Sequence, residues 1–286
     1  MATISMNIPF KHRPPNLPDN RQMLDRRLYL LGKRLTRDPD LKKKYVTEIH
    51  KLLADRHTEL VPEEDLCRAD GCVWYLPHHP VFNPKKPDKC RIIFDCTARA
   101  NGTLLNDQIH QGPDLTNKLI GVLLHFRQEA VTFTADIKGM FHQVVVNPAD
   151  RDALRFLWWK NDDPYNVPLE YRMTVHLFGG VWSQSCANYA VHRTVEDNAS
   201  EYSNSARQTI KRNFYVNDCL KSVASVDEAI YLVHEAWRYK IPPCMKLKDY
   251  CSVEGFTSTS GCRIAEMLSI LYLRMSGPLM FRQLTM

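Results

Sequence analysis

The chain has 286 residues, 44% of them hydrophobic and 24% charged, which is enough for one large or two ordinary globular domains and excludes a disordered tail. Its formal net charge of +6 suits a polyanionic partner without requiring one. Residues 1–10 lack the features of a secretory signal peptide, and no apolar run approaches the ~20 residues of a membrane span. We therefore expect an intracellular protein, cytoplasmic or nuclear, that is not secreted and has no membrane partner.

The nine cysteines include no C-x-x-C pair. This spacing favours free, mostly buried thiols over a disulfide framework or a compact zinc module. A zinc site built from His78, His79 and nearby cysteines is the alternative, although the usual ligand spacing is missing.

Residues 1–60 are predicted to form an extended lead-in followed by helices. Pro14, Pro15 and Pro18 prevent a helix in the lead-in. Between residues 21 and 57 the leucines recur at helical spacing, with a break at residues 38–40, which predicts two helices joined by a turn. These helices also carry basic residues that either contact phosphate or form a solvated face: Lys33, Arg34, Arg37, Lys42, Lys43 and Lys44.

Residues 61–240 are predicted to form one α+β domain. A hairpin is expected from strands at residues 73–76 and 91–94, joined by a basic, proline-rich loop at residues 82–89. An amphipathic helix is expected within residues 115–128, and residues 131–135 resemble a buried strand that places Asp136 at its end.

The second half of this domain is predicted to alternate strands with a helix. Strands are expected at residues 154–159 and 171–177, and a helix at residues 185–196. Phe214, Tyr215 and Val216 then lead into Asn217 and Asp218, with apolar residues beyond. This pattern predicts a hairpin with the polar pair at its tip.

Asp136 and the pair Asn217–Asp218 are weak signals when taken separately, because Asp and Asn are ordinary residues at strand ends and turns. Brought together on one sheet, they would form a cluster able to bind two divalent cations. In nucleotidyl transfer one cation activates the attacking hydroxyl and the other shields the triphosphate. Because Mg²⁺ prefers anionic oxygen ligands, we expect Mg²⁺ or Mn²⁺ at Asp136 and Asp218.

A series of motifs occurs in order around these residues. They are His79-Pro80-Val81, Arg91-Ile92-Ile93-Phe94-Asp95, Leu105-Asn106-Asp107, Gly112-Pro113-Asp114-Leu115, Asp136-Ile137, Met140-Phe141-His142-Gln143-Val144, Phe178-Gly179, Ser185-Cys186-Ala187-Asn188-Tyr189 and the hairpin at residues 214–218. The chain resembles the reverse transcriptase of BEL/Pao-class LTR retrotransposons from about residue 9 to about residue 237. This resemblance implies the fingers and palm of a right-hand polymerase, with an antiparallel palm sheet and packed helices.

The resemblance also assigns residues. Asp136 would be the first metal-binding carboxylate and Asp218 the last acid of the hairpin, with Asn217 between them in the catalytic cluster. Phe141 would lie under the sugar of an incoming deoxynucleoside triphosphate, or else is a core aromatic residue. The other residues that would contact nucleotide are Lys85, Lys86, Lys89, Arg91, Gln143, Phe178 and Gly179, and for the lysines the alternative is a solvated loop.

Asn217 departs from the family's pattern, because Tyr-Val-Asn-Asp replaces Tyr-Val-Asp-Asp. A neutral amide removes one unit of charge from the metal site, so we expect weakened metal binding and catalysis. Gln184 is a second departure, standing where the family usually has proline. Residues 241–286 lack a recognisable thumb or RNase H signature and indicate either a replacement helix or disrupted coding.

Two functions remain as leading hypotheses. The first is a reverse transcriptase domain that acts on deoxynucleoside triphosphates and an RNA or DNA template-primer and is weakened by Asn217. The second is a non-catalytic, nucleic-acid-binding remnant of a retroelement polymerase. A product without a retained role and a metal-dependent nuclease are further alternatives, and the oligomeric state stays open.

Overall fold

The computed structural model describes residues 4–84, 86–238 and 245–246. The helices are α1 (Arg21–Arg37), α2 (Pro39–Ala54), α3 (Leu119–His125), α4 (Ser183–Asp197), α5 (Asn204–Arg212) and α6 (Val226–Arg238). The strands are β1 (Ser5–Met6), β2 (Thr58–Leu60), β3 (His78–Asn83), β4 (Lys86–Phe94), β5 (Val131–Ile137), β6 (Val145–Val146), β7 (Arg155–Trp159), β8 (Pro168–Met173), β9 (Phe214–Tyr215), β10 (Asp218–Val223) and β11 (Met245–Lys246).

The chain forms two compact units. The first contains the residues up to Leu115 together with Gly139–Val191, and the second contains Thr116–Lys138 together with the residues from His192 onward. Both units combine helices with antiparallel strand pairs, and β1–β6 is a parallel pair within the first unit. This mixture agrees with the predicted α+β class. The predicted C-terminal region, residues 241–286, lies outside the described residues except for β11.

The first unit begins with the lead-in and the two helices predicted from the sequence. The Asp38 carboxylate accepts a hydrogen bond of 2.9 Å from the Leu41 amide, and Pro39 occupies the first turn of α2. A side-chain cap and an early proline are the local features that start a helix. The prediction of two helices separated by a turn is therefore confirmed.

The core of the first unit lies between these helices and a three-stranded sheet in the order β2-β8-β7. All five residues of β7 are buried. Tyr45 of α2 stacks on Trp158 with ring centroids 5.5 Å apart. Its hydroxyl also hydrogen-bonds the buried His78 ring, whose other nitrogen bonds the Leu157 carbonyl oxygen at 2.9 Å. The sheet and α2 thus share one aromatic core.

The predicted first hairpin exists, but its first arm was predicted too early. β3 begins at His78 and pairs with β4, so residues 73–76 are outside the hairpin. They pair with the start of β7 instead, because the Arg155 amide donates to the Trp74 carbonyl at 3.0 Å and the Leu76 amide donates to the Arg155 carbonyl at 2.7 Å.

The strand predicted at residues 171–177 is also shifted, since β8 ends at Met173. Beyond it the chain turns to a different partner. The Val146 amide donates to the Thr174 carbonyl at 2.8 Å, and the His176 amide donates to the Val144 carbonyl at 2.9 Å. A long-range partner, which local sequence patterns do not encode, therefore ends β8.

The second unit is built on a four-stranded antiparallel sheet in the order β11-β5-β10-β9. α3 is shorter than the helix predicted within residues 115–128. Asn117 explains its late start, because its side-chain amide donates to the carbonyls of Lys211 at 3.0 Å and Phe214 at 2.8 Å. These bonds hold the chain before α3 against the β9 strand.

Further observations concern the thiols and the membrane. The described cysteines are free, and Cys90, Cys96, Cys186 and Cys219 are buried, which confirms that part of the prediction. Within the described residues, no helix is both long enough and apolar enough to cross a membrane.

Candidate active site

The candidate site in the second unit consists of two carboxylates on neighbouring strands. Asp136, near the end of β5, lies directly opposite Asp218, the first residue of β10, in the antiparallel register. Side chains at directly opposed positions point to the same face, with Cβ atoms ~5 Å apart. Both residues are partly exposed. The sheet therefore brings together the two acids that sequence analysis selected.

α3 covers the other end of this face. Leu220 lies two residues beyond Asp218 on β10 and packs against Val122 and Phe126. The Ser222 hydroxyl donates a hydrogen bond of 2.8 Å to the His125 carbonyl at the end of α3. β10 thus packs Leu220 against α3, while Asp218, the first residue of β10, lies at the partly exposed end of the same face.

The hairpin that carries Asp218 is tighter than predicted. Asp218 pairs with Tyr215, so the turn consists of Val216 and Asn217 alone. The predicted position of Asp218 at the tip was wrong, because its backbone is already part of the β10 ladder. Val216 has φ of 56°, a left-handed conformation that costs a β-branched residue energy.

Asn217 links the hairpin turn to β5. Its side-chain amide donates a hydrogen bond to Asp136 Oδ1, and its carbonyl accepts one of 2.9 Å from the Ile137 amide. The Asp136 oxygen that would receive a cation is therefore engaged by a neutral donor. The sequence indicated the loss of a ligand here but not this replacement contact.

The atoms that this cluster offers to a metal ion are carboxylate oxygens. Burial raises the pKa of the adjacent Cys219 thiol to about 12, so this sulfur stays protonated and is a poor metal ligand. Within the described residues, no group of three or more His, Cys, Asp or Glu side chains is arranged to hold a metal ion. Asp136 and Asp218 suit one hard divalent cation between them, and they are one carboxylate short of a three-acid set.

The described residues that were predicted to contact the nucleotide all belong to the first unit. The rings of Phe141 and Phe178 are in contact, with centroids 5.5 Å apart and planes inclined at 50°. Phe178 is 49% exposed, whereas Phe141 and Gln143 are partly buried. A partly exposed aromatic pair offers a surface on which a sugar or base could lie.

Gly179 follows Phe178 in a turn that only glycine suits. Its φ is 110°, and an added Cβ would approach the Phe94 carbonyl oxygen to 2.9 Å. Asn106 supports the same turn, since its amide donates to the Gly179 carbonyl at 3.2 Å and its oxygen accepts from the Val181 amide at 3.1 Å. Asn106 lies in the Leu105-Asn106-Asp107 motif, but its role was not predicted, because an isolated loop Asn has no periodic signal.

The predicted triphosphate-binding cations lie in or beside the β3–β4 hairpin. Arg91 is exposed on β4, opposite Val81, and Lys89 is exposed on the same strand. Lys86 is the first residue of β4, and Lys85 lies outside the described residues. The hairpin thus carries an exposed cationic strand, while a contact with phosphate stays a prediction.

Comparisons with known proteins show only a distant structural similarity. No family model matches the chain, and no curated protein matches it. Among the matching solved structures is one described as the foamy viral protease-reverse transcriptase dRH in complex with ds DNA, with 16% sequence identity and a TM-score of 0.49. The match covers 70% of this chain and 30% of that one, so this chain matches less than a third of that protein's length. At this identity and TM-score the likeness assigns neither family nor function.

Proposed function

We propose that this chain is the fingers and palm of a retroelement reverse transcriptase of the BEL/Pao class. Its ancestral reaction is template-directed addition of deoxynucleotides to a primer. The single observation that carries the proposal is the direct cross-strand pairing of Asp136 with Asp218. The two acids belong to motifs far apart in the sequence, and their pairing in register on one sheet supports a shared site.

Asp136 and Asp218 would hold a divalent metal ion. When bound, Mg²⁺ or Mn²⁺ would lower the barrier by neutralising charge on the attacking hydroxyl and the triphosphate. The two carboxylates supply the anionic oxygens that such an ion requires, and like charges directly opposite each other are destabilising without it.

The other residues would position the substrate. Phe141 would lie under the sugar of the incoming nucleotide and obstruct a 2′ hydroxyl, and Phe178, Gly179 and Gln143 would line the same pocket. Lys85, Lys86, Lys89 and Arg91 would neutralise the triphosphate. These roles rest on the resemblance, and the contact between Phe141 and Phe178 is consistent with them.

Asn217 is expected to weaken catalysis. Its amide adds no negative charge to the site and hydrogen-bonds an oxygen of Asp136, with which a cation must compete. Because the metal ions supply most of the electrostatic stabilisation in this reaction class, turnover falls by orders of magnitude when a direct ligand is lost.

The same hydrogen bond favours a second candidate function. A site whose carboxylate is already satisfied by Asn217 keeps its shape without metal, as a non-catalytic nucleic-acid-binding remnant would. Salt-sensitive binding of a template-primer without extension would identify this function.

Primer extension on an RNA template in Mg²⁺ tests the proposal. The natural chain is compared with Asn217→Asp, with Asp136→Ala as the inactive control and Asn198→Asp as a matched substitution elsewhere in the second unit. We expect Asn217→Asp to extend the primer far faster than the natural chain or Asn198→Asp. Equal extension by all variants, including Asp136→Ala, would refute the assigned site, and binding without extension by any variant would favour the remnant.

A further inference from the structure

The outer face of α1 carries a stripe of basic and aromatic residues. At 100° per residue, Arg26, Tyr29, Leu30, Lys33 and Arg37 fall within an arc of about 100°. The opposite side of the helix packs into the core of the first unit through Leu24, Leu28, Leu31 and Leu35. The stripe is therefore directed away from the core.

The cations of this stripe form no ion pair with any acid in the part of the chain that the structure describes. This holds for Arg26, Lys33 and Arg37, whereas Arg21 on the inner side of α1 is bonded to Glu170 and Asp25. α1 contains six basic residues, and its only acid, Asp25, is the one that pairs with Arg21. The stripe thus presents uncompensated positive charge.

An ordinary solvated helix face explains this pattern poorly. Such faces usually mix both signs at i,i+4 spacing, whereas Lys33 and Arg37 are like charges at that spacing and repel each other. The helix dipole favours Arg37 in the last turn but not Arg26, which lies in the N-terminal half. These costs are explained if the stripe has an anionic partner.

Tyr29 and Leu30 indicate what kind of anion fits. Each is 61% exposed in the middle of the cations. The Lys33 ammonium lies 4.4 Å from the centroid of the Tyr29 ring and restrains its orientation. Cations beside an exposed aromatic ring are the combination that binds single-stranded nucleic acid, since the cations neutralise phosphates and the ring stacks on a base.

We propose that the α1 stripe formed by Arg26, Tyr29, Leu30, Lys33 and Arg37 is a binding surface for single-stranded nucleic acid. It spans about 16 Å along the helix at 1.5 Å per residue, which is long enough for a few nucleotides. This inference rests on the proposed function for the class of ligand, which is nucleic acid. The surface itself is independent of it, since no residue of the stripe belongs to the candidate active site.

Fluorescence anisotropy of the full chain with a labelled single strand of about 12 nucleotides tests this surface. The measurement is made in EDTA, so that it does not depend on the metal site. The α1 variant Arg26→Gln/Lys33→Gln/Arg37→Gln is compared with an α2 variant of equal charge, Lys42→Gln/Lys43→Gln/Lys51→Gln. Glutamine preserves helix propensity, and thermal melting checks that each variant folds.

We expect the α1 variant to bind about 100-fold more weakly near 0.1 M salt, since each lost phosphate contact on a single strand removes about 0.7 from the salt slope. The α2 variant should stay close to the natural chain. Tyr29→Ala should weaken binding about tenfold while Tyr29→Phe does not, because stacking needs only the ring. RNA and DNA strands of one sequence show which sugar is preferred.

Three results would overturn the proposal. One is undetectable binding by the natural chain, and another is an equal loss in the α1 and α2 variants, which would indicate net charge alone. The third is an unchanged affinity of Tyr29→Ala together with equal affinity for duplex DNA, which would indicate a general polyanion contact. The same titration with Asp136→Ala separates the two hypotheses, because that variant should lose any extension activity but keep this binding.

Discussion

Asn217 donates a side-chain hydrogen bond to the carboxylate of Asp136, across the boundary between the hairpin turn and β5. An aspartate at position 217 would place a third negative charge beside Asp136 and Asp218 instead. If Asp136 and Asp218 hold a metal ion as proposed, Asn217 lowers the affinity for that ion and stabilises the metal-free site, because a neutral donor satisfies an oxygen that the cation would otherwise neutralise.

Asn217→Asp should lower the melting temperature of the metal-free protein, through a lost hydrogen bond worth about 1–3 kcal/mol and added like-charge repulsion. Mg²⁺ should raise the melting temperature of this variant more than that of the natural chain. Thermal melts in EDTA and in Mg²⁺ measure both effects. Asn198→Asp is the control, because it makes the same chemical change and loses a 2.7 Å hydrogen bond from the side-chain amide to the Thr194 carbonyl. An equal Mg²⁺ effect on all three proteins would show that position 217 does not influence a metal.

Asp152→Asn should destabilise the first unit by about 3–5 kcal/mol, because it leaves the buried Arg155 and Arg172 without their shared anion. The Asp152 carboxylate is 1% exposed and lies 2.5 Å from Arg68, 2.9 Å from Arg155 and 3.1 Å from Arg172. Urea unfolding measures the loss. Asp70→Asn is the control, since this carboxylate is 47% exposed and should contribute less than about 1 kcal/mol. Similar losses for the two variants would contradict a special role for burial.

Stability should fall as the pH drops from about 6.5 towards 4, because three histidines are held neutral. Burial lowers the pKa of His78, His142 and His176 from 6.5 to about 4. The unfolded chain then binds more protons than the folded protein, so each histidine contributes a slope of about 1.4 kcal/mol per pH unit in this window. His176 Nδ1 also accepts a 2.8 Å hydrogen bond from the Trp182 indole, a contact that a proton would break.

Urea midpoints between pH 7 and 5 test this dependence. His176→Asn keeps an acceptor for Trp182 but does not titrate, so its stability should vary less with pH than that of the natural chain. His12→Asn, which replaces an exposed histidine of the same unit, is the matched control. A His176→Asn profile parallel to that of the natural chain would show that His176 does not contribute to the pH dependence.

Two glycine-to-alanine substitutions should change stability in opposite directions. Gly179→Ala should cost more than ~1 kcal/mol, because its φ of 110° and the nearby Phe94 carbonyl exclude a side chain. Gly121→Ala in α3 meets open space and should stabilise the protein by ~0.5–1 kcal/mol. Urea unfolding compares them, and a neutral Gly179→Ala would mean that this turn relaxes easily.

Sequence patterns located much of the local structure. The leucine spacing of α1 and α2, the break at residues 38–40 and the apolar run of β5 are local signals, because each depends on residues within a few positions. The errors occur where distant partners decide. Residues 73–76 pair with β7 rather than β4, β8 ends where Thr174 meets Val146, and α3 starts late behind the Asn117 hydrogen bonds.

The sequence by itself determined which side chains are available at the candidate site. They are Asp136, Asp218 and the neutral Asn217, which lies between the two predicted strands of the hairpin. Only the tertiary structure decided that Asp136 and Asp218 face each other in register, that Asn217 bonds Asp136, and that the stripe cations Arg26, Lys33 and Arg37 form no ion pair within the described residues, whereas Arg21 of the same helix does. The physical reason is that strand register and side-chain pairing depend on which distant surfaces pack together, and hydrophobic periodicity reports only which face of an element is buried.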